Sequence, residues 1–308
     1  MILIISDLSD KTTDDVINWL NLINKNFIRI NSQDNVELKF SGKEIYIETK
    51  ELKIKLSNIS KFWYRRGQLN IKNDLFTKKN EFDKLQSEEL DKIIQFLYYK
   101  LCKLKHINSI TDIDINKLIV NDIAENVCLC RTDDYFFSSK SSLFKLLKES
   151  NQKYISKVIS GNCVQNFEDF DIYNYTTLLT KDKVKTNFFF PSLVQNYIEK
   201  KYELRIFYLD GSFYGMAIFS QKDTQTNIDF RNYNDQKPNR TIPYKLPKNI
   251  EIKLDKLMKK LDLNCGSIDM IVTPENEYIF LEVNPVGQFG MISFPCNYNL
   301  EKRIAEYL

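Results

Sequence analysis

The chain has 308 residues with 43% hydrophobic and 13% aromatic content, which excludes wholesale disorder, and its 8 Gly and 7 Pro exclude collagen-like or linker-like architecture. Its 44 basic against 41 acidic residues leave a net charge of +3, too balanced to imply nucleic acid, and no apolar run approaches the ~18 residues of a membrane span. The six cysteines form no C-x-x-C pair and the single histidine, His106, leaves no Cys/His zinc set, so free thiols in a reducing, cytoplasmic setting are expected.

Residues 2–5 read as a buried strand, and residues 12–15 start a helix with Val16, Ile17, Leu20 and Ile23 as its apolar face. Alternation over 36–56 around Ser41-Gly42-Lys43 predicts a hairpin, and residues 62–67 a strand ending in Arg65 and Arg66. Apolar positions at helical spacing over 79–104 predict a long amphipathic helix with His106 at its end. This part, residues 1–112, is taken as a first domain.

A second domain, 113–190, opens with Asp114-Ile115-Asn116-Lys117 as a helix cap. A strand at 135–137, a helix at 139–148, a strand at 153–160 bearing Lys157 and ending at Gly161, and a strand over 171–180 follow. Pro191 opens the third domain, 191–308, with strands at 192–198, 203–209 and 213–220. An irregular stretch at 221–249 leads to a helix carrying Ile252, Leu257 and Leu261. A hairpin of 266–272 and 277–284 and a short helix end the chain. Twelve of the fifteen Gly and Pro residues fall in this last domain, where backbone must bend most. Only 8 of the 44 basic residues are arginine, and five of them, Arg65, Arg66, Arg205, Arg231 and Arg240, fall in segments marked by other features. Arginine supplies a planar fork for carboxylate or phosphate that lysine lacks.

The last hairpin carries the sharpest local signal. Strict alternation puts Ile279, Leu281 and Val283 on one face and Tyr278, Phe280, Glu282 and Asn284 on the other. A four-residue turn pairing Val272 with Glu277 places Asp269 opposite Phe280 and diagonal to Glu282. Two carboxylates and an amide oxygen then share a surface, a donor set suited to Mg²⁺ as much as to a solvated polar face.

Asp269 followed by Glu282-Val283-Asn284-Pro285 resembles the metal site of the ATP-grasp ligases. The order of other features extends the resemblance. Lys117 matches the lysine that opens the family's second domain, and Lys157 the one before its glycine-rich flap, here with the single glycine Gly161. Residues 194–198 are similar to the adenine hinge, with Gln195, Asn196 and Ile198 at the base and Glu203 at the ribose. Arg205, Arg231 and Arg240 resemble the arginines that stabilise the transferred phosphate. The resemblance implies an α+β ATP-grasp fold of three domains, with ATP and Mg²⁺ between the central and C-terminal ones, and metal ligands Asp269, Glu282 and Asn284.

Residues 62–66 and 291–300 are similar to the graspetide branch, the microviridin-type and grasp-with-SPASM peptide maturases. That resemblance implies a ribosomal precursor peptide whose Asp or Glu side chains are joined to Ser/Thr hydroxyls or Lys amines. It implies a homodimer, and Arg65 and Arg66 are candidates for peptide contact. Neither nucleic acid nor membrane is expected as a partner. Two rivals remain: an ATP-grasp amino-acid or glutamate ligase acting on a free amine, and a nucleotide-binding scaffold without turnover.

Overall fold

Five consecutive buried residues open the chain as β1 (Ile2–Ser6), the centre of its first sheet. The computed structural model describes residues 1–71, 81–109, 115–160, 164–167, 169–221, 228–229, 231–232, 234, 236 and 238–308. Gly161 and Asp114 lie outside the described residues. The chain divides into two units, Met1–Asp114 with Pro285–Leu308, and Ile115–Asn284.

In the first unit, α1 (Lys11–Leu22) follows β1, capped by Asp10, whose carboxylate accepts from the amides of Thr12 and Thr13. Then come β2 (Phe27–Asn31), the hairpin β3 (Asn35–Ser41) and β4 (Glu44–Glu48), β5 (Lys53–Lys55), β6 (Lys61–Tyr64) and β7 (Asn70–Ile71). The long helix α2 (Glu81–Leu101) leads into β8 (Lys105–Ile107). β2, β1, β6 and β8 form a parallel sheet in that order, and β5, β4, β3 and β7 a second, mixed sheet in which only β3 and β7 run parallel. Leu3, Ile5, Phe62 and Tyr64 meet Ile45, Ile47 and Ile54 of the hairpin strands and Leu97, Tyr98 and Leu101 of α2 in one core. Each fully buried aliphatic side chain contributes about 1.5–3 kcal/mol. His106 lies on β8 rather than at a helix end, and its Nδ1 donates to the Leu104 carbonyl at 2.8 Å.

The second unit starts at α3 (Lys117–Asn126), where the Asn116 side chain accepts from the Leu118 amide at 2.9 Å. β9 (Cys130–Arg131), β10 (Asp134–Ser139), α4 (Lys140–Glu149), β11 (Tyr154–Lys157), β12 (Val164–Asn166), β13 (Asp171–Tyr173) and β14 (Thr177–Leu178) follow. Next are β15 (Phe188–Asn196), β16 (Tyr202–Leu209), β17 (Ser212–Phe219), β18 (Arg240–Tyr244), α5 (Lys248–Lys260), β19 (Cys265–Val272) and β20 (Tyr278–Asn284). β10, β15, β11 and β14 form one sheet in that order, packed on α4 through Leu143, Tyr154 and Val194. β18, β17, β16, β19, β20 and β9 form the other, with α3 and α5 on one face.

Two prolines break the expected pattern. Pro191 lies inside β15 rather than ahead of it, at the interruption between the pairs Phe137–Ser192 and Ser139–Phe188, where no regular ladder bond needs its missing N–H. Pro243 lies in β18, an edge strand within the stretch expected to be irregular, and an edge can spare the donor. Gly215 of β17 has a different constraint: a Cβ there would lie 2.5 Å from the Tyr244 carbonyl oxygen across the ladder. The chain then returns to the first unit with α6 (Gly290–Cys296) and α7 (Leu300–Tyr307), and α7 packs on α1. Among the described residues no helix is long and apolar enough to cross a membrane.

Candidate active site

The site is built on the face of the six-stranded sheet opposite α3 and α5, and an irregularity between β19 and β20 decides what it presents. At the turn the ladder pairs Val272 with Tyr278, one residue away from the expected pairing with Glu277. Continued without interruption, that register would set Asp269 opposite Leu281 and turn Glu282 to the other face. One extra residue in β20, at Leu281, shifts the register between Met270 and Asp269. Asp269 therefore faces Glu282 directly, Ile268 faces Val283 and Ser267 faces Asn284. Phe280 and Val283 both enter the helix-side core, while Leu281 and Glu282, adjacent in sequence, both line the cleft. Strict alternation puts Phe280 with Glu282 and Leu281 with Val283; the bulge overturns both groupings.

On β16, Leu204, Ile206 and Tyr208 enter the same core, so Glu203 and Arg205 lie on the cleft face. Arg205 is in register with Asp269, and its guanidinium donates to both carboxylate oxygens, at 2.7 and 3.0 Å. Burial pushes the Asp269 pKa up more than Arg205 pulls it down, and the Glu282 charge adds to the rise. Glu203 is buried as well, which raises its pKa; its Oε1 accepts from Lys200 Nζ at 2.5 Å and Ser220 Oγ at 2.9 Å.

Lys117, the first residue of α3, donates to Glu282 Oε2 at 2.7 Å. A lysine there opposes the helix dipole, and the carboxylate offsets that cost. Lys157 ends β11 and lines the cleft. Burial lowers its pKa, with Glu282 pulling the other way. Burial likewise opposes ionisation of Glu282, but Lys117 and Lys157 together outweigh it and hold that carboxyl below the usual range.

The facing sheet supplies the other wall. Gln195, Asn196 and Ile198 line the cleft as β15 ends. The Gln195 amide donates to Asp134 at 2.6 Å, and Asp134 also accepts from Asn121 at 2.9 Å, which ties β15 to β10 and α3. Ile155, Ile198, Ile271 and Leu281 bring apolar surface from both sheets, the composition expected around an aromatic base. Of these only Ile198 carried a sequence signal; Ile155, Ile271 and Leu281 look like any core aliphatic until the two sheets face each other.

Arg231 lines the cleft and is held by Asp229 through Nε at 2.9 Å and a terminal nitrogen at 2.7 Å. Asp229 is buried and also accepts from the Thr176 amide at 3.0 Å; sequence reasoning assigned it no role. Arg240 is not brought into this group. It opens β18, exposed, with its guanidinium 5.6 Å from the Phe219 ring centre, and it shares the helix-side face with Ile242 and Tyr244.

In the first unit, Arg65 and Arg66 follow β6 and both reach Asp10 Oδ2, at 3.0 and 2.7 Å. Arg65 is 2% exposed, donates to the Val286 and Gly287 carbonyls and the Thr12 hydroxyl, and stacks on Phe289. Arg66 keeps 37% of its side chain exposed. The tight turn behind them needs Gly67, at φ +79°, where a Cβ would lie 3.0 Å from that of Ser32.

The donor chemistry fits a magnesium ion. Asp269 and Glu282 offer carboxylate oxygens in direct cross-strand register, and Asn284 adds an amide oxygen two residues along β20. Among the described residues no three His, Cys, Asp or Glu side chains cluster as a metal site, so a third protein ligand would be that amide. Arg205, whose Nε is buried without a hydrogen-bond partner, and Lys117 supply the counter-charge.

No protein-family model matches the sequence, and no curated protein matches it. Solved structures do. The macrocyclase MdnC from Microcystis aeruginosa MRC, bound with precursor peptide MdnA, is 26% identical, with a TM-score of 0.80 over 100% of this chain and 99% of that one. A RiPP-associated ATP-grasp ligase from Chryseobacterium gregarium, in complex with ADP and a leader and core peptide, is 24% identical, with a TM-score of 0.80 over 99% and 94% of the two chains. Macrocyclase MdnB from Microcystis aeruginosa MRC is 20% identical, with a TM-score of 0.74 over 100% and 98%. The chain has an α+β ATP-grasp fold, and over its full length it is similar to the RiPP macrocyclases and ATP-grasp ligases among the solved structures.

Proposed function

We propose that this chain uses ATP to activate Asp or Glu side-chain carboxylates of a ribosomally made precursor peptide as acyl phosphates, and joins them to Ser/Thr hydroxyls or Lys amines of the same peptide, closing macrocycles. The observation that carries the reading is the cross-strand pair Asp269–Glu282, set by the bulge into a cleft that also holds Glu203, Lys157, Arg231 and an apolar wall. The full-length likeness to MdnC directs it to a peptide substrate.

A carboxylate resists attack by a hydroxyl, so phosphorylation must come first, and charge builds on the transferred phosphoryl oxygens. Ile155, Ile271 and Leu281 would enclose the base, with Gln195, Asn196 and Ile198 along its edge and Glu203 at the ribose. Lys117 and Lys157 would neutralise phosphates. Magnesium held by Asp269, Glu282 and Asn284 would spread the γ-phosphoryl charge, and Arg205 and Arg231 would stabilise what remains. Arg66, partly exposed beyond the end of β6, is the better placed of the two paired arginines to meet an acidic peptide; Arg65 is committed to its own backbone. The attacking hydroxyl lies on the bound peptide, so proximity favours it over water.

Incubation with a candidate precursor peptide, ATP and Mg²⁺, read by mass spectrometry, tests the reading. Loss of one water per bond, with ADP and phosphate released in step, is the expected result. Gain of a free amino acid would instead identify the amine ligase, and nucleotide binding without ADP release a scaffold. Hydroxylamine should divert the acyl phosphate to a hydroxamate. Glu282→Gln should abolish both products.

A further inference from the structure

The first unit holds a cavity of its own, away from the cleft. It lies where α1 meets the end of α6 and the start of α7, and its volume is about 230 Å³, far above the ~15 Å³ that a single water needs. None of its lining residues lines the cleft.

Two carboxylates line it, Glu301 of α7 and Asp15 of α1. Glu301 is 5% exposed; its Oε2 accepts from Ser293 Oγ at 2.6 Å, while its Oε1 is buried without a hydrogen-bond partner. The Ser293 hydroxyl in turn accepts from the Leu300 amide at 2.9 Å, so its single proton is already committed. Glu301 stands in the first turn of α7, where a negative charge complements the helix dipole. Burial, with the charges of Asp14 and Asp10, pushes the Asp15 carboxyl up from its ordinary pKa. Among the described residues neither Asp15 nor Glu301 takes part in an ion pair, although Asp14 meets Arg29 and Lys302 reaches Glu306 at 3.9 Å. A buried carboxylate held by one hydroxyl is costly, and a cation in the cavity would relieve both acids.

The other walls decide which cation. Asn18, Asn297 and Asn299 add amide groups, and Trp19 and Phe294 add aromatic surface. Oxygen acceptors suit a metal ion and an ammonium alike. A hydrated metal gains little from aromatic walls, whereas an alkylammonium sets its head against the carboxylates and its stem against the rings. Among the described residues no three His, Cys, Asp or Glu side chains cluster as a metal site. Trp19 already attracts one ammonium, since Lys302 Nζ lies 5.3 Å from its ring centre. We propose that this cavity binds a primary alkylammonium ion, carried by a lysine side chain or by a free amine.

Titration of the full chain with butylammonium chloride and with Nα-acetyl-lysine methylamide, followed through the Trp19 indole N–H signal by NMR, tests it. Trp19→Phe identifies that signal. Both probes should move it with Kd in the millimolar range, and 1-butanol, potassium or calcium at equal concentration should not. Tighter binding of the lysine derivative assigns a lysine side chain as the occupant; equal or tighter binding of butylammonium assigns a free amine. Glu301→Gln and Asp15→Asn should each weaken both probes by roughly 10-fold or more. Asp15 is only partly buried, so Asp15→Asn reads the charge without disturbing the core, and circular dichroism keeps the comparison to folded chains. No lining residue is shared with the cleft, so the outcome is independent of the proposed activity. A signal that moves with neither probe, that moves equally with butanol or calcium, or that keeps its affinity in both carboxylate variants overturns the inference.

Discussion

Asp229 and Asp10 each hold arginines in place, and their consequences differ because only one lies in the cleft. Asp229 fixes Arg231 through two nitrogens, so Asp229→Asn should leave the fold intact but let the guanidinium swing. We expect kcat for ADP release to fall by about 10-fold or more, and Arg231→Ala to cost ~10²–10³ in kcat. Both should be measured with precursor peptide saturating. Burial alone would raise the Asp10 pKa, but Arg65, the Thr12 hydroxyl and Arg66 outweigh it and hold the carboxyl low. A group whose folded pKa lies below its unfolded value stabilises the fold above about pH 4 and loses that contribution as pH falls through the folded value. Asp10→Asn should therefore cost about 3 kcal/mol or more at neutral pH, by leaving Arg65 buried without its counter-charge. Urea midpoints at pH 7 and in the acid range should show the difference between the two proteins shrinking as pH falls.

At the scale of elements, the β19–β20 bulge is the feature on which the site turns. The hairpin, its strands and its acidic residues were legible from alternation and turn residues. The extra residue was not, because a bulge changes pairing without changing composition, and Leu281 suits either face. Removing Leu281 should leave a regular ladder in which Glu282 still faces Asp269 and Val283 still enters the core, because the bulge only accommodates the extra residue. The expected outcome is a folded chain that keeps an upward shift in melting temperature on adding ATP and Mg²⁺, reduced by the lost apolar contact of Leu281. Complete loss of that shift would show that Leu281 itself, rather than the cross-strand register, sets the site. The strands holding Pro191 and Pro243 were misread for a related reason: whether a missing N–H matters depends on what lies alongside, and pairing partners are distant in sequence.

For the whole molecule, the return of the chain to its first unit after Asn284 carries the main consequence. Ile292, Leu300 and Ile304 are buried, and Lys25 donates to the Ala305 and Glu306 carbonyls at 3.0 and 2.8 Å. A chain ending at Asn284 keeps every cleft residue but should lose protection of α1 and β1. Hydrogen exchange would read this as rapid labelling of residues 2–22 beside a protected six-stranded sheet. The order of the candidate site residues, the oxygen-bearing side chains of Asp269, Glu282 and Asn284, and the α and β elements around them could be read from the sequence, because periodicity and residue chemistry are local. Which arginine reaches the cleft, that Arg240 stacks on the far face while Arg231 is clamped by Asp229, and that Leu281 stands beside Glu282 were decided only in three dimensions. Those outcomes rest on strand register and sheet face, which are set by contacts between residues far apart in the chain.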